Sequence, residues 1–240
     1  MKPRTHKKDS RVIVYDADCI EQASPQLFDA DAWQREGAVT GVAEGRGSTL
    51  LLDTDFGPAV LRQCLRGGWP ARISRQYYFF TGFARSRPIA EFNMLARLRA
   101  LNLPVPHPLA AQCVREGILY SGSLLTRRIM DVVPLADLLG STNAGSELWR
   151  ATGVCIRRFH EHGVVHADLN ARNILIRDSG IVYLIDFDRA RVQKGARGAL
   201  KNNLSRLRRS LDKLWPVAAP DRLEDCWASL LEAYSKAPVS

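Results

Sequence analysis

The sequence predicts an α+β chain in two lobes. Strand-like apolar runs gather in its first half, amphipathic helical stripes in its second, and the character changes near Met130 to Pro134. The 240 residues suffice for one large domain or two small lobes. With 46% hydrophobic and 25% charged residues, composition excludes a disordered tail and a low-complexity fibre.

The elements follow in order. After a polar tail, Pro25 to Glu36 reads as a short helix, with Ser24 as cap and Pro25 at the first helical position. Thr49 to Asp53 and Pro58 to Cys64 read as strands joined by the turn Thr54-Asp55-Phe56-Gly57, and a tight glycine pair, Gly45-Arg46-Gly47, precedes them. Pro88 to Leu101 reads as a helix closed by Asn102 and the Pro-rich run LPVPHP. Its spacing sets Glu91 on one face with Met94, Leu95 and Leu98. There Glu91 is either a carboxylate at the edge of the buried stripe, which needs a cation, or a first-turn acid favoured by the helix dipole.

Two further strands are expected, Ile118 to Ser121 and Ser123 to Ile129. A helix capped by Ser146 then runs through His162 to a stop at Gly163, with Leu148, Thr152, Cys155, Ile156 and Phe159 on one face. Leu223, Cys226, Trp227, Leu230, Leu231 and Tyr234 mark a last helix, and Trp149 and Trp227 read as core.

The formal charge is +9, and it is concentrated. Six arginines and no carboxylate lie between Arg62 and Arg87, and nine Lys/Arg against Asp212 alone lie between Arg189 and Lys213, so the remainder of the chain is net negative. Such runs are either solvated faces or sites for an anionic partner. Five scattered cysteines without a C-x-x-C pair indicate neither a disulfide framework nor a zinc site, and fit a reducing cytoplasm. The only apolar run near the N-terminus, Val12 to Tyr15, is far too short for a signal peptide, and nothing reaches the length of a spanning helix, so the chain is expected to be neither secreted nor membrane-spanning.

The chemistry concentrates in HADLNARNILI, His166 to Ile176, and in IDFD, Ile185 to Asp188. A carboxylate, Asp168, precedes an amide, Asn173, by five residues, and an apolar strand then delivers Asp186. Phosphoryl transfer needs such a set: a carboxylate to accept the attacking hydroxyl's proton, and an amide with a second carboxylate to hold Mg²⁺ on nucleotide phosphates. His160, His162 and His166 lack the H-E-x-x-H spacing of a metal site; His166 reads as a prop for the loop and His160 as a helix-face residue. Neither a P-loop nor a G-x-S-x-G elbow is present.

These motifs resemble those of the protein-kinase-like superfamily, whose H-x-D-x-x-x-x-N and D-F-G signatures match at His166, Asp168, Asn173 and Asp186-Phe187-Asp188, with Asp188 in place of glycine. The resemblance implies a bilobal kinase-like fold, an N-lobe (1–129) of antiparallel sheet with one major helix and a mainly helical C-lobe (134–240). It makes Asp168 the catalytic base, Asn173 and Asp186 the Mg²⁺ ligands, and Gly45 and Gly47 part of a shortened loop over the phosphates of ATP. No lysine stands at the V-A-I-K position; Arg62 occupies it and could pair with Glu91 and the phosphates, with Arg66 as the alternative.

Segments outside these motifs narrow the match: EGRGSTLLL, LRQCLRGGWPARI, SRPIAEFNMLARL, LPVPHPLAA, DFDRAR, NLSRLRRSL and the terminal W-x-x-L-x-x-A-Y. Together, over about Trp33 to Tyr234, they resemble the 3-deoxy-D-manno-octulosonic acid (Kdo) kinases of lipopolysaccharide core assembly. That similarity implies transfer of the ATP γ-phosphate to the 4-hydroxyl of Kdo in Kdo-lipid IV-A, by a peripheral enzyme on the cytoplasmic face of the inner membrane. The two basic runs would then hold substrate anions and the anionic membrane surface. No nucleic-acid partner and no obligate protein partner is expected. Two competing classes are another kinase of the superfamily and a basic nucleic-acid-binding module. The first would need an acceptor unlike this basic surface, and the second leaves the ordered Asp168, Asn173 and Asp186 unexplained.

Overall fold

The computed structural model describes residues 1–43, 49–64, 78–140, 145–193, 195, 197–216 and 221–236. They form an α+β structure that divides into two units, residues 1–97 with 106–128, and residues 98–105 with 129–240. Gly45 and Gly47, and the alternative Arg66, lie outside the described residues.

In the first unit, eight strands make one antiparallel sheet. They are β1 (Pro3–Lys8), β2 (Arg11–Asp16), β3 (Val39–Ala43), β4 (Thr49–Leu52), β5 (Ala59–Gln63), β6 (Tyr78–Phe79), β7 (Pro108–Glu116) and β8 (Leu119–Arg127). The order is β1-β2-β7-β8-β5-β4-β3, with β6 also on β8. The β4–β5 hairpin turns where the sequence places it: Gly57 stands at φ +93 and its N–H donates to the Thr54 carbonyl at 2.7 Å. The runs at Ile118 to Ser121 and Ser123 to Ile129 are one strand, β8, because Gly122 between them stays in the ladder opposite Cys113 of β7.

The N-terminal residues are a correction, since they form a hairpin rather than a polar tail. β1, of sequence PRTHKK, is exposed along its whole length, so no apolar period marks it; it is the polar edge that keeps a sheet from pairing further. β2 behind it is buried, and its last residue, Asp16, is a fully buried carboxylate. Asp16 accepts N–H bonds from Lys2 at 2.7 Å and Asp18 at 3.1 Å, and pairs with His107 Nε2 at 2.7 Å.

Alternation along the strands separates two faces. Ala59 and Leu61 join Ile13, Leu52, Leu109 and Leu125 in a core cluster with Phe28. Phe28 ends the 3₁₀ turn Pro25–Phe28, which Ser24 caps as expected; Asp29 then caps a separate helix, α1 (Ala30–Arg35), so the single predicted helix is two short pieces. Arg62 alternates with Leu61 and meets Glu91 of α2 (Arg87–Ala100). That helix buries Ile89, Phe92, Leu95 and Leu98, and closes with Asn102 at φ +54 and a bond from Leu103 N–H to Leu98 carbonyl.

The second unit holds β9 (Val132–Pro134), α3 (Ser146–Glu161), β10 (Val164–Val165), β11 (Ile174–Arg177), β12 (Val182–Leu184), β13 (Arg191–Val192), α4 (Arg197–Leu214) and α5 (Asp221–Lys236). β12-β11-β9 and β10-β13 are small antiparallel sheets. Gly145, not Ser146, occupies the cap position of α3, and no side chain bonds there. Trp149, Ile156 and Phe159 of α3 are buried, and Gly153 allows close approach to α5, where a Cβ would overlap the Leu230 carbonyl oxygen. Trp149 is fully buried, whereas Trp227 is half-buried beneath the Arg208 guanidinium. Among the described residues no helix is long and apolar enough to cross a membrane.

Candidate active site

The segment between β10 and β11 carries Asp168 and Asn173, and the residue after Ile185 beyond β12 is Asp186. The β11–β12 ladder sets these two stretches side by side: Ile174 pairs with Leu184, and Ile185 N–H donates to the Asn173 carbonyl at 3.0 Å. Asp186 therefore follows directly on the residue bonded to Asn173.

His166 ties the stretches together. It is 2% exposed, and burial lowers its pKa, against an opposing hydrogen bond to Ile185. Nδ1 accepts the Asp168 N–H at 3.1 Å while Nε2 lies 3.0 Å from the Ile185 carbonyl, which fixes the neutral tautomer with the proton on Nε2. The histidine is the strut that the sequence suggests. Phe187 is buried against it, with ring centroids 4.8 Å apart, and stacks on Phe159.

Two amides organise the loop. Asn170 caps the 3₁₀ turn Ala171–Asn173, accepting N–H bonds from Arg172 and Asn173. Its Nδ2 donates to the Asp168 carbonyl at 3.1 Å, and Asn173 Nδ2 donates to the same oxygen at 2.9 Å. Asn173 thus spends its donor end on the loop, and among the described residues nothing donates to its Oδ1. An amide oxygen beside a carboxylate is the hard donor set that Mg²⁺ prefers, so Asn173 and Asp186 fit that ion.

Asp186 has φ +61, in the left-handed region, which asparagine and aspartate enter more readily than other side chains but at a cost of about 1–3 kcal/mol. Asp188 is not among the positive-φ residues, so the place filled by glycine in D-F-G does not require one here.

Helix α4 presses one face on this loop. Asn203 is 5% exposed; its Oδ1 accepts the His166 N–H at 2.9 Å and its Nδ2 donates to the His166 carbonyl at 2.7 Å. One turn on, Arg206 Nη1 donates to Asp168 Oδ1 at 3.1 Å, and Ser210 Oγ accepts the Ala171 N–H at 3.2 Å. Sequence reasoning missed these three residues. Counting charge merged Arg206 with its exposed neighbours, whereas the spacing of Asn203, Arg206, Leu207, Ser210 and Leu211 carries a one-faced helical signal. The basic run is also less uniform than its charge: Arg208 is bound to Asp212 and Glu224, while Arg197, Lys201 and Arg209 are exposed.

In the first unit, Arg62 Nη2 is bonded to Glu91 Oε2, and Glu91 is only 4% exposed. Of the two sequence readings, the partnered buried carboxylate is the one observed. A guanidinium suits that position, since it keeps its charge and offers several donors.

The lipopolysaccharide kinase (Kdo/WaaP) family model matches residues 30–234. A relative in Xanthomonas euvesicatoria pv. vesicatoria, named 3-deoxy-D-manno-octulosonic acid kinase, is 42% identical over 94% of this chain and 90% of its own length. Two relatives of the same name, from Stenotrophomonas maltophilia strains K279a and R551-3, are each 41% identical over the same shares. Across nearly all of its length, therefore, this chain is a phosphotransferase that belongs to the lipopolysaccharide kinase (Kdo/WaaP) family.

Proposed function

We infer that this chain transfers the γ-phosphoryl group of ATP to the 4-hydroxyl of Kdo in Kdo-lipid IV-A. The observation that carries this reading is the hydrogen-bonded loop in which His166 and Asn173 hold Asp168 by its backbone, leaving the carboxylate 56% exposed to an incoming hydroxyl. The names of relatives matching 94% of the chain support Kdo as the sugar.

In this reading Asp168 takes the proton of the attacking hydroxyl as its oxygen bonds to the γ-phosphorus and the bond to ADP breaks. Asn173 and Asp186 would hold Mg²⁺, which when bound would neutralise phosphate charge. Arg62, steadied by Glu91, serves the nucleotide phosphates. The two units correspond to the N-lobe and C-lobe of a protein-kinase-like fold. The enzyme works as a peripheral protein on the cytoplasmic face of the inner membrane, where exposed cations such as Arg197, Lys201 and Arg209 meet anionic head groups.

Replacing Asp168 with Asn keeps size and removes the proton acceptor. The variant is expected to fold and bind nucleotide while kcat falls by about 10²–10⁴-fold. Turnover at the wild-type rate would overturn the role of Asp168.

A further inference from the structure

We propose that Arg206 is a carboxylate-binding subsite for the acceptor, which selects sugar acids over neutral sugars. The inference rests on the reading of Asp168 as the base and Kdo as the acceptor, and goes beyond it by naming the residue that recognises the acid group.

Arg206 lies between two anchors on α4: Asn203, bonded to both backbone groups of His166, and Ser210, bonded to Ala171 N–H. Positions 203, 206 and 210 share one helix face, so the helix cannot rotate Arg206 away from the loop without breaking those bonds. The fold thus fixes the place on α4 from which Arg206 reaches the loop, and the bond to Asp168 aims its guanidinium there.

The pair itself is open. Among the described residues Arg206 gives one hydrogen bond, from Nη1 to Asp168 Oδ1, and the two side chains are 49% and 56% exposed. A guanidinium has five N–H donors in a planar fork that matches a carboxylate edge to edge. About half of the Arg206 side chain is exposed beside the base, and one of its donors is spent on it. Other cations of α4 are spent or lack this placement: Arg208 is held by Asp212 and Glu224.

The chemistry then restricts the acceptor. A hydroxyl that yields its proton to Asp168 must come within about 2.6–3.2 Å of a carboxylate oxygen. Any acceptor so placed has its neighbouring groups within reach of Arg206. A neutral sugar would gain little there, whereas a sugar acid would set its carboxylate on the free edge of the fork and its hydroxyl on Asp168. Kdo, an octulosonic acid, carries its carboxylate a few bonds from the 4-hydroxyl. Two-point attachment of this kind fixes both which sugar binds and which hydroxyl meets the base.

The test compares a Kdo-terminated acceptor with its carboxyl methyl ester, using the full chain as wild type, Arg206→Gln and Arg206→Lys. The wild type should prefer the acid by roughly 10- to 100-fold in kcat/KM, the loss expected for one charge-assisted pair. Arg206→Gln should raise KM for the acid by a similar factor, leave KM for ATP within about twofold, and abolish the preference over the ester. Arg206→Lys should recover part of it, because charge remains and the fork does not. The preference for acid over ester is the deciding ratio, since a purely structural role for Arg206 would slow both acceptors alike. An unchanged preference in Arg206→Gln overturns the subsite while leaving the Kdo assignment intact. Absence of transfer to either acceptor by the wild type overturns the Kdo assignment itself.

Discussion

Removing the Asn203 side chain should damage the catalytic loop from a distance. Asn203 is 5% exposed and His166 2% exposed, and their two mutual bonds, 2.9 and 2.7 Å, satisfy a buried backbone N–H and a buried carbonyl. Asn203→Ala leaves both groups buried and unmatched. At about 1–3 kcal/mol for each of the two stranded groups, the second unit should lose about 2–6 kcal/mol, a large part of a typical stability of about 5–15 kcal/mol. Asn203→Leu separates this loss from cavity formation, since it fills the space and still strands both groups. Denaturant unfolding gives the stability change through the midpoint at constant slope. Hydrogen exchange at the His166 amide gives the local change, which should be at least tenfold faster in both variants. If Asn203→Ala unfolds within about 0.5 kcal/mol of wild type and its His166 amide remains protected, the anchor described here is wrong.

Other perturbations test other links. Gly153→Ala improves helix propensity by up to about 1 kcal/mol but sets a Cβ against the Leu230 carbonyl and 3.1 Å from Tyr234 N, so a net loss of about 1–2 kcal/mol should appear as a lower Tm; a gain would contradict the close crossing of α3 and α5. Arg62→Met takes the guanidinium from the buried Glu91 and should cost about 3–5 kcal/mol, most of it restored by adding Glu91→Gln; additive losses in the double variant would refute the pairing. His160 is buried, its Nδ1 2.9 Å from the Tyr234 hydroxyl, and burial pushes its pKa down to about 4, from 6.5. The unfolded chain therefore binds the extra proton first, and stability should decline as pH falls from about 6.5 toward 4, by about 2 kcal/mol at pH 5 from this group alone. Chemical unfolding at pH 7 and pH 5 measures it, and equal stabilities would contradict the buried neutral ring.

How much of this was legible in the sequence depends on where the signal was local. The β4–β5 hairpin is written in Thr54 to Gly57, and the α2 face in the spacing of Glu91, Leu95 and Leu98; both are observed. The Asp168–Asn173 spacing and Asp186 at a strand end are local too, and the loop around them is organised by residues within the same short run. Long-range features were hidden. β1 has no apolar residue pattern because its partner supplies the pairing, and Asp16 finds His107 across 91 residues. The α4 anchors join Asn203 to a backbone 37 residues away, which charge counting could not show. A polar side chain aimed at a backbone group leaves no composition signature, whereas its position on an amphipathic helix does.

Transfer to Kdo is read directly by mass spectrometry of Kdo-lipid IV-A after incubation with this chain, ATP and Mg²⁺. One added phosphoryl group is expected, located by fragmentation on the 4-hydroxyl of Kdo, with product from Asp168→Asn forming at least about 100-fold more slowly. Unmodified Kdo, or phosphate added elsewhere on the lipid, would contradict that transfer.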